Sequence, residues 1–277
     1  MLKMLFQRCM RICMKCSRRW ATLKPTMTDI PAEDIAALIR DKYEGDTHAD
    51  LTADLERLAA GEPLAYVIGW IPFAGARIEL DSRPLIPRAE TECWTERLIR
   101  HASQKFGDEP FALLDLCAGS GAIGVAIAAA LPNAQVSFAE LGEAHLATIQ
   151  KNLDENGIAP SRVAVRAGDL FAPFPDIRFD FIAANPPYIP AARTLDASVT
   201  DYEDSAALFS GEDGLDLIRR IATDAPGHLR QGAELWMECD IANVEEAVRL
   251  VEAGGASRAD IRTDQYGRPR YLVGYYA

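Results

Sequence analysis

Asn185, Pro186, Pro187 and Tyr188 follow directly on the apolar run Phe179-Asp180-Phe181-Ile182-Ala183-Ala184, and their types fit one chemistry. Proline has no amide donor and a fixed φ, so Pro186 and Pro187 stiffen the loop and leave carbonyls without an internal partner. A planar NH2 group offers two coplanar donors. The side-chain oxygen of Asn185 and the backbone carbonyl of Pro186 can hold both while Tyr188 lies against the flat face. Gripping both hydrogens raises electron density on a nitrogen whose lone pair is delocalised, which suits a direct displacement on a sulfonium methyl. The loop predicts methyl transfer to an amide or base NH2 nitrogen, with no general base needed beforehand.

A second set of residues suits a nucleoside-bearing methyl donor. Asp115-Leu116-Cys117-Ala118-Gly119-Ser120-Gly121 turns a strand into a helix, where glycine admits a ligand close to the backbone and free helix amides face an electronegative group. Alone, this signal equally serves a dinucleotide enzyme. Glu140 ends the next strand about twenty residues later, where an acid accepts from ribose hydroxyls. In Gly168-Asp169-Leu170-Phe171, Asp169 can accept from an adenine amino group while a neighbouring apolar side chain covers the ring.

These residues need a scaffold, and the pattern supplies one. Strands are expected at Phe111–Leu116, Gln135–Glu140, Arg162–Val165, Phe179–Ala183, Glu234–Glu238, Ile261–Thr263 and Tyr271–Tyr276. Helices are expected at Ala122–Ala130, Glu143–Asn156, Leu215–Ala225 and Ile241–Val251. The alternation predicts an α/β fold with a seven-stranded, mostly parallel, Rossmann-like sheet. Further boundaries follow: a basic leader over 1–28, a small helical docking domain over 29–62, a hairpin linker over 63–87 and the catalytic domain over 88–277. Leu64–Leu80, rich in β-branched and aromatic residues, reads as that hairpin, and a helix runs through Cys93, Trp94, Leu98 and Ile99.

The 277 residues carry 29 basic and 41 acidic side chains, a formal charge of −12. Residues 1–28 hold seven Lys or Arg and no acid, which leaves the body at −19. Such a body repels phosphate chains, so a protein or small-molecule substrate is favoured over DNA or RNA. The leader fits an organelle-targeting segment, a disordered tail or an overextended start with Met27 as the true one. The location expected is cytoplasmic, or mitochondrial if the leader targets. Cys9-x3-Cys13-x2-Cys16 copies a radical iron–sulfur cradle, but the polar, helical stretch after it does not fit that class. In the body no His and Cys cluster has metal-ligand spacing, so no metal is expected. No apolar run approaches the ~20 residues of a membrane span.

The chain resembles the protein-(glutamine-amide) methyltransferases of peptide chain release factors. The resemblance rests on Glu62-Pro63-Leu64-Ala65-Tyr66-Val67-Ile68-Gly69, Leu85-Ile86-Pro87-Arg88-Ala89-Glu90-Thr91-Glu92, the Asp115–Gly121 turn, Asn185–Ile189, Ala206-Ala207-Leu208 and Gly211-Glu212-Asp213-Gly214-Leu215-Asp216. It implies transfer of a methyl group from S-adenosyl-L-methionine, leaving S-adenosyl-L-homocysteine, to the glutamine of the Gly-Gly-Gln motif in class 1 release factors. Asp115, Gly119, Gly121, Glu140, Asp169, Leu170 and Asn185 would hold the cofactor. Asn185, Pro186, Pro187, Tyr188 and Arg88 would hold the substrate, with Asn185, Pro186 and Tyr188 catalytic.

Some residues depart from the family pattern. Cys117 stands for the first glycine of the turn, Ala89 for a proline, Glu203-Asp204 for Glu-Pro, and Glu238-Cys239-Asp240 for Glu-x-Gly. The helical region before Gly61 is short. Cys117 resembles the sister group acting on a ribosomal-protein glutamine, whereas Leu85–Glu92 fits the release-factor group. Two rival functions stay open at this point. One is a methyltransferase for adenine or cytosine amino groups, which needs a basic track; the second is a non-enzymatic assembly protein that keeps the fold.

Overall fold

The structure, a computed structural model, describes residues 30–277. The leader, with Cys9, Cys13, Cys16 and Met27, lies outside the described residues. The chain divides into two compact units after Glu62.

In the first unit, α1 (Ala32–Lys42) and α2 (Thr52–Ala59) fall within the region expected to be helical. Acids Glu33 and Asp34 open α1, and Arg40 and Lys42 close it, both complementing the helix dipole. Asp54 is buried but not isolated: the Lys42 ammonium lies 2.7 Å away and the Tyr43 hydroxyl donates to it over 2.8 Å.

The second unit opens with a correction. Leu64–Ile68 is a short helix, α3, and not the first arm of a hairpin. Pro63 stands at its N-cap and Gly69, at φ 99°, ends it, so the two punctuating residues outweigh the β-branched content. The hairpin is confined to β1 (Trp70–Phe73) and β2 (Ala76–Glu79). It is fastened to the large domain through Asn152, whose side chain accepts from the Glu79 amide and donates to the Glu79 and Ser120 carbonyls. The Tyr66 hydroxyl donates to the Pro84 carbonyl over 2.7 Å, which fixes the chain just before Leu85.

After α4 (Ala89–Phe106) come β3 (Phe111–Leu116), α5 (Ala122–Ala130), β4 (Ala134–Glu140), α6 (Glu143–Glu155), β5 (Val163–Ala167) and β6 (Phe179–Ala184). Then follow α7 (Asp216–His228), β7 (Leu229–Glu238), α8 (Val244–Ala253), β8 (Arg258–Thr263) and β9 (Pro269–Tyr275). The seven strands form one sheet in the order β5-β4-β3-β6-β7-β9-β8, parallel from β5 to β7 and antiparallel at β9. Central strands β3 and β6 are buried almost throughout and therefore read as apolar runs. Helix α7 continues past Ala225 through Pro226, and where it ends the Arg178 guanidinium donates to the carbonyls of Pro226 and Leu229.

Candidate active site

Register places the two motifs side by side. Asp115 pairs with Ala183 and Leu116 with Ala184, so the turn after β3 and the Asn185 loop after β6 leave the same sheet edge as neighbours. Strand order reverses between these two strands, and the crevice at such a point is where α/β sheets bind ligands.

Two cavities open there. The first, about 200 Å³, is lined by Cys117, Gly119, Glu140, Asp169, Leu170 and Asn185 among others. Glu140 is held from below: its Oε2 accepts from the Gly119 amide over 2.7 Å and its Oε1 from the Gly142 amide over 2.8 Å. Each oxygen keeps a further acceptor site, which suits a pair of ribose hydroxyls. Gly119, at φ 56°, has open space where a Cβ would stand, so the backbone itself forms the wall. Leu170 is buried at φ 47°, and Asp169 gives one oxygen to Arg220 over 2.7 Å. The donor set fits an adenosine-bearing cofactor.

Two residues expected to touch that cofactor do not line the cavity. Asp115 is fully buried beneath the turn, where its Oδ2 accepts from the Gly124 amide over 2.8 Å. Its Oδ1 has no hydrogen-bond partner among the described residues. Burial, reinforced by the Glu140 charge and opposed by the Gly124 amide, pushes this carboxyl up to about 8. Gly121 is also buried, and a Cβ there would meet the Ile149 side chain at 3.2 Å. Both residues shape the turn from inside.

The second cavity, about 170 Å³, is lined by Arg88, Asn185, Pro186, Pro187, Tyr188 and Leu208, and by Leu195 and Val199 among others. Leu85, Asn185, Pro187 and Ala207 belong to both cavities, so the two chambers meet across the loop. Arg88 turns to Glu203, whose buried carboxylate accepts from Nη2 over 2.6 and 2.7 Å. Its charge is thereby matched inside the chain, and it contributes shape to the cavity wall.

Behind the loop lies a polar network that the sequence did not disclose. The Asn185 Nδ2 donates to Thr91 Oγ1 over 3.3 Å, and Thr91 donates to Glu238 Oε2 over 2.7 Å. Trp94 Nε1 donates to the same oxygen over 2.8 Å, while the Tyr188 hydroxyl donates to Glu238 Oε1 over 3.0 Å. Burial pushes the Glu238 carboxyl up, against the donors and the nearby Arg270 charge. Burial and Glu238 likewise push the Tyr188 hydroxyl up, so it remains a donor. Asp240, two residues on, forms an ion pair with Arg193 and tethers the chain beyond the loop.

Sequence reasoning also missed Leu141 and His145. Leu141, 68% exposed and adjacent to Glu140, lines the first cavity, and its position after the acid was the available signal. His145 lines it too, its Nδ1 lying 2.8 Å from Ser82 Oγ, a residue distant in sequence that gave no signal.

The fold and the paired chambers define a Rossmann-like, S-adenosylmethionine-dependent methyltransferase. The Methyltransferase small domain family matches residues 92–203. A Methyltransferase of Pyrococcus furiosus shares the fold with a TM-score of 0.53 at 16% identity, covering 73% of this chain and 89% of that one. A 16S rRNA N2 G1207 methyltransferase of Thermus thermophilus, solved with AdoMet and guanosine, gives 0.51 at 18% identity, over 75% of this chain and 50% of that one. The release factor glutamine methyltransferase of Geobacter sulfurreducens is 38% identical over 220 residues, 79% of this chain and 75% of the relative. That of Xylella fastidiosa is 34% identical over 266 residues, 94% and 88% of the two chains. The chain belongs to the release factor glutamine methyltransferase family.

Proposed function

We propose that this enzyme methylates the side-chain amide nitrogen of the Gly-Gly-Gln glutamine in a class 1 peptide chain release factor. The observation that carries this reading is the meeting of the two chambers at Leu85, Asn185, Pro187 and Ala207. A narrow, largely apolar cavity accepts one extended side chain and aims its end at that shared wall.

S-adenosylmethionine supplies an electrophilic methyl carbon bonded to a positive sulfur. The chain's own residues do the rest. Glu140 would hold the ribose hydroxyls and Asp169 the adenine amino group, with Leu170 and Leu141 as apolar lining of the same cavity. Asn185 commits Nδ2 to Thr91, which leaves Oδ1 to accept one amide hydrogen of the glutamine, and the Pro186 carbonyl accepts the other. Tyr188, anchored at its hydroxyl, offers its ring face to the planar amide. Leu195, Val199 and Leu208 exclude water from the aliphatic stem. With both hydrogens accepted, the positive charge that would develop on nitrogen as the methyl–nitrogen bond forms and the methyl–sulfur bond breaks is stabilised. The nitrogen would then shed one of those two protons to solvent, leaving the methylated amide neutral.

The test is transfer of radiolabel from the cofactor to candidate acceptors offered together: a class 1 release factor, ribosomes, tRNA and duplex DNA. Label should enter the release factor at its glutamine. Label chiefly in a ribosomal protein, or in nucleic acid, overturns the assignment. Among the described residues no helix is long and apolar enough to cross a membrane.

A further inference from the structure

Glu238 sits where a fully buried carboxylate is costly, at 1% exposure on the end of β7. Apolar residues would fill this space at less cost, so what the carboxylate holds matters. It accepts from Tyr188 on one oxygen and from Thr91 and Trp94 on the other. Thr91 in turn accepts from Asn185. Both side chains of the loop that grip the substrate are thereby referenced to one fixed point, contributed by a strand fifty residues further along the chain.

Orientation follows from the donors. A carboxylate has no hydrogen to give, so Tyr188 and Thr91 must both donate inward. Thr91 then presents a lone pair to Asn185, which selects the amide orientation with Nδ2 toward Thr91 and Oδ1 away from it. Reversal of that amide would set Nδ2, a donor, where the substrate NH2 needs an acceptor. Trp94, buried in the core and stacked on Tyr271 with ring centroids 6.0 Å apart, keeps the carboxylate from swinging.

We infer that Glu238 is a positioning residue for methyl transfer, which fixes the acceptor face of Asn185 through Thr91 and the ring of Tyr188 directly. The inference rests on the reaction proposed above. Glu238→Gln keeps the volume but substitutes a donor for one acceptor; because the Trp94 N–H can only donate, the amide oxygen keeps the place of Oε2 and Tyr188 must reverse its hydrogen.

The experiment compares the parent, Glu238→Gln, Thr91→Val and Thr91→Ser in single-turnover transfer to a class 1 release factor at saturating cofactor. Cofactor dissociation constants and hydrogen exchange at the Asn185, Tyr188 and Ile189 amides are measured alongside. Glu238→Gln should slow transfer by about 30-fold and Thr91→Val by about 10-fold, with cofactor affinity within about twofold. Thr91→Ser, which restores the hydroxyl, should recover to within about threefold of the parent. Exchange in the loop should quicken in Glu238→Gln and Thr91→Val. A folded Glu238→Gln enzyme with parental transfer and exchange overturns the inference. If that variant does not fold, equal rates and equal exchange in Thr91→Val and Thr91→Ser overturn it instead. A parent that transfers nothing to the release factor sinks the proposed reaction, while the exchange data still decide whether Glu238 anchors the loop.

Discussion

Gly214 packs so closely against Tyr188 that a Cβ on it would stand 2.2 Å from the Tyr188 carbonyl oxygen. The glycine-rich stretch before α7 is thus the floor on which the substrate loop rests. Gly214 also has φ 80°, a conformation that side chains resist. Gly214→Ala should lower stability by about 1–3 kcal/mol and push the loop aside. Turnover at saturating cofactor should fall by about 10-fold or more, since small displacements of a positioned reactant are costly. Calorimetric melting and single-turnover assays check both, and cofactor affinity should stay near the parent value.

Asn185 carries the sharpest prediction of the mechanism. Asn185→Ala should cut transfer by about 100-fold or more, the loss expected for a preorganised polar contact worth about 3 kcal/mol. Asn185→Asp keeps an acceptor but loses the Nδ2 donor to Thr91 and sets a charge near buried Glu238, so it should fail nearly as badly. If Asn185 serves only to end the strand, both variants would instead lose stability and cofactor binding together. A folded, cofactor-saturated Asn185→Ala enzyme working within about threefold of the parent excludes the catalytic role.

Cys117 occupies φ 60°, the left-handed region, at the place where the family pattern has glycine. A non-glycine residue there is strained by about 1–2 kcal/mol. Cys117→Gly should therefore retain folding and cofactor affinity. Cys117→Val, branched at Cβ, should lower the melting temperature and weaken cofactor binding, because strain falls on the wall of the first cavity. Isothermal calorimetry with S-adenosylhomocysteine separates the two variants, and equal affinities would contradict this account.

Glu234 sets an acid limit on stability. Burial alone would raise its carboxyl, but donors from His101, Lys105 and Trp236 prevail and hold it at about 2, against an ordinary value of 4.5. A carboxyl depressed by folding stabilises the protein above its unfolded value and loses that contribution as pH falls through the folded one. Stability from this group should be complete above about pH 5 and drain away toward pH 2. Denaturant titrations across that range should show a shallower acid decline in Glu234→Gln than in the parent. Parallel declines would assign acid sensitivity elsewhere.

The sequence by itself determined what local pattern can encode. Phe111–Leu116 and Ala122–Ala130 form as read, because a buried central strand and a helix buried all round are apolar throughout and a glycine turn separates them. Asn185, Pro186, Pro187 and Tyr188 were legible for the same reason: proline stiffness and side-chain donors are properties of the residues, and a strand end presents them. Gly119 and Glu140 follow from strand ends at the expected interval. The tertiary structure decided everything that depends on a distant partner. Thr91 and Glu238 are separated by 147 residues, and a lone Glu at a strand end carries no mark that burial will make it a common acceptor. Arg88 became an ion-paired wall because Glu203 was folded against it, and Asp115 became a brace because β3 placed its side chain beneath the turn, out of the cavity. The end of α7 at Pro226 took donors from the distant Arg178, whereas Leu64–Ile68 turned helical on the nearby signals of Pro63 and Gly69, which outweighed its β-branched content. A side chain's type fixes which hydrogen bonds it can make, but the fold fixes which of them survive desolvation, and that choice separates a residue that touches substrate from one that holds it in place.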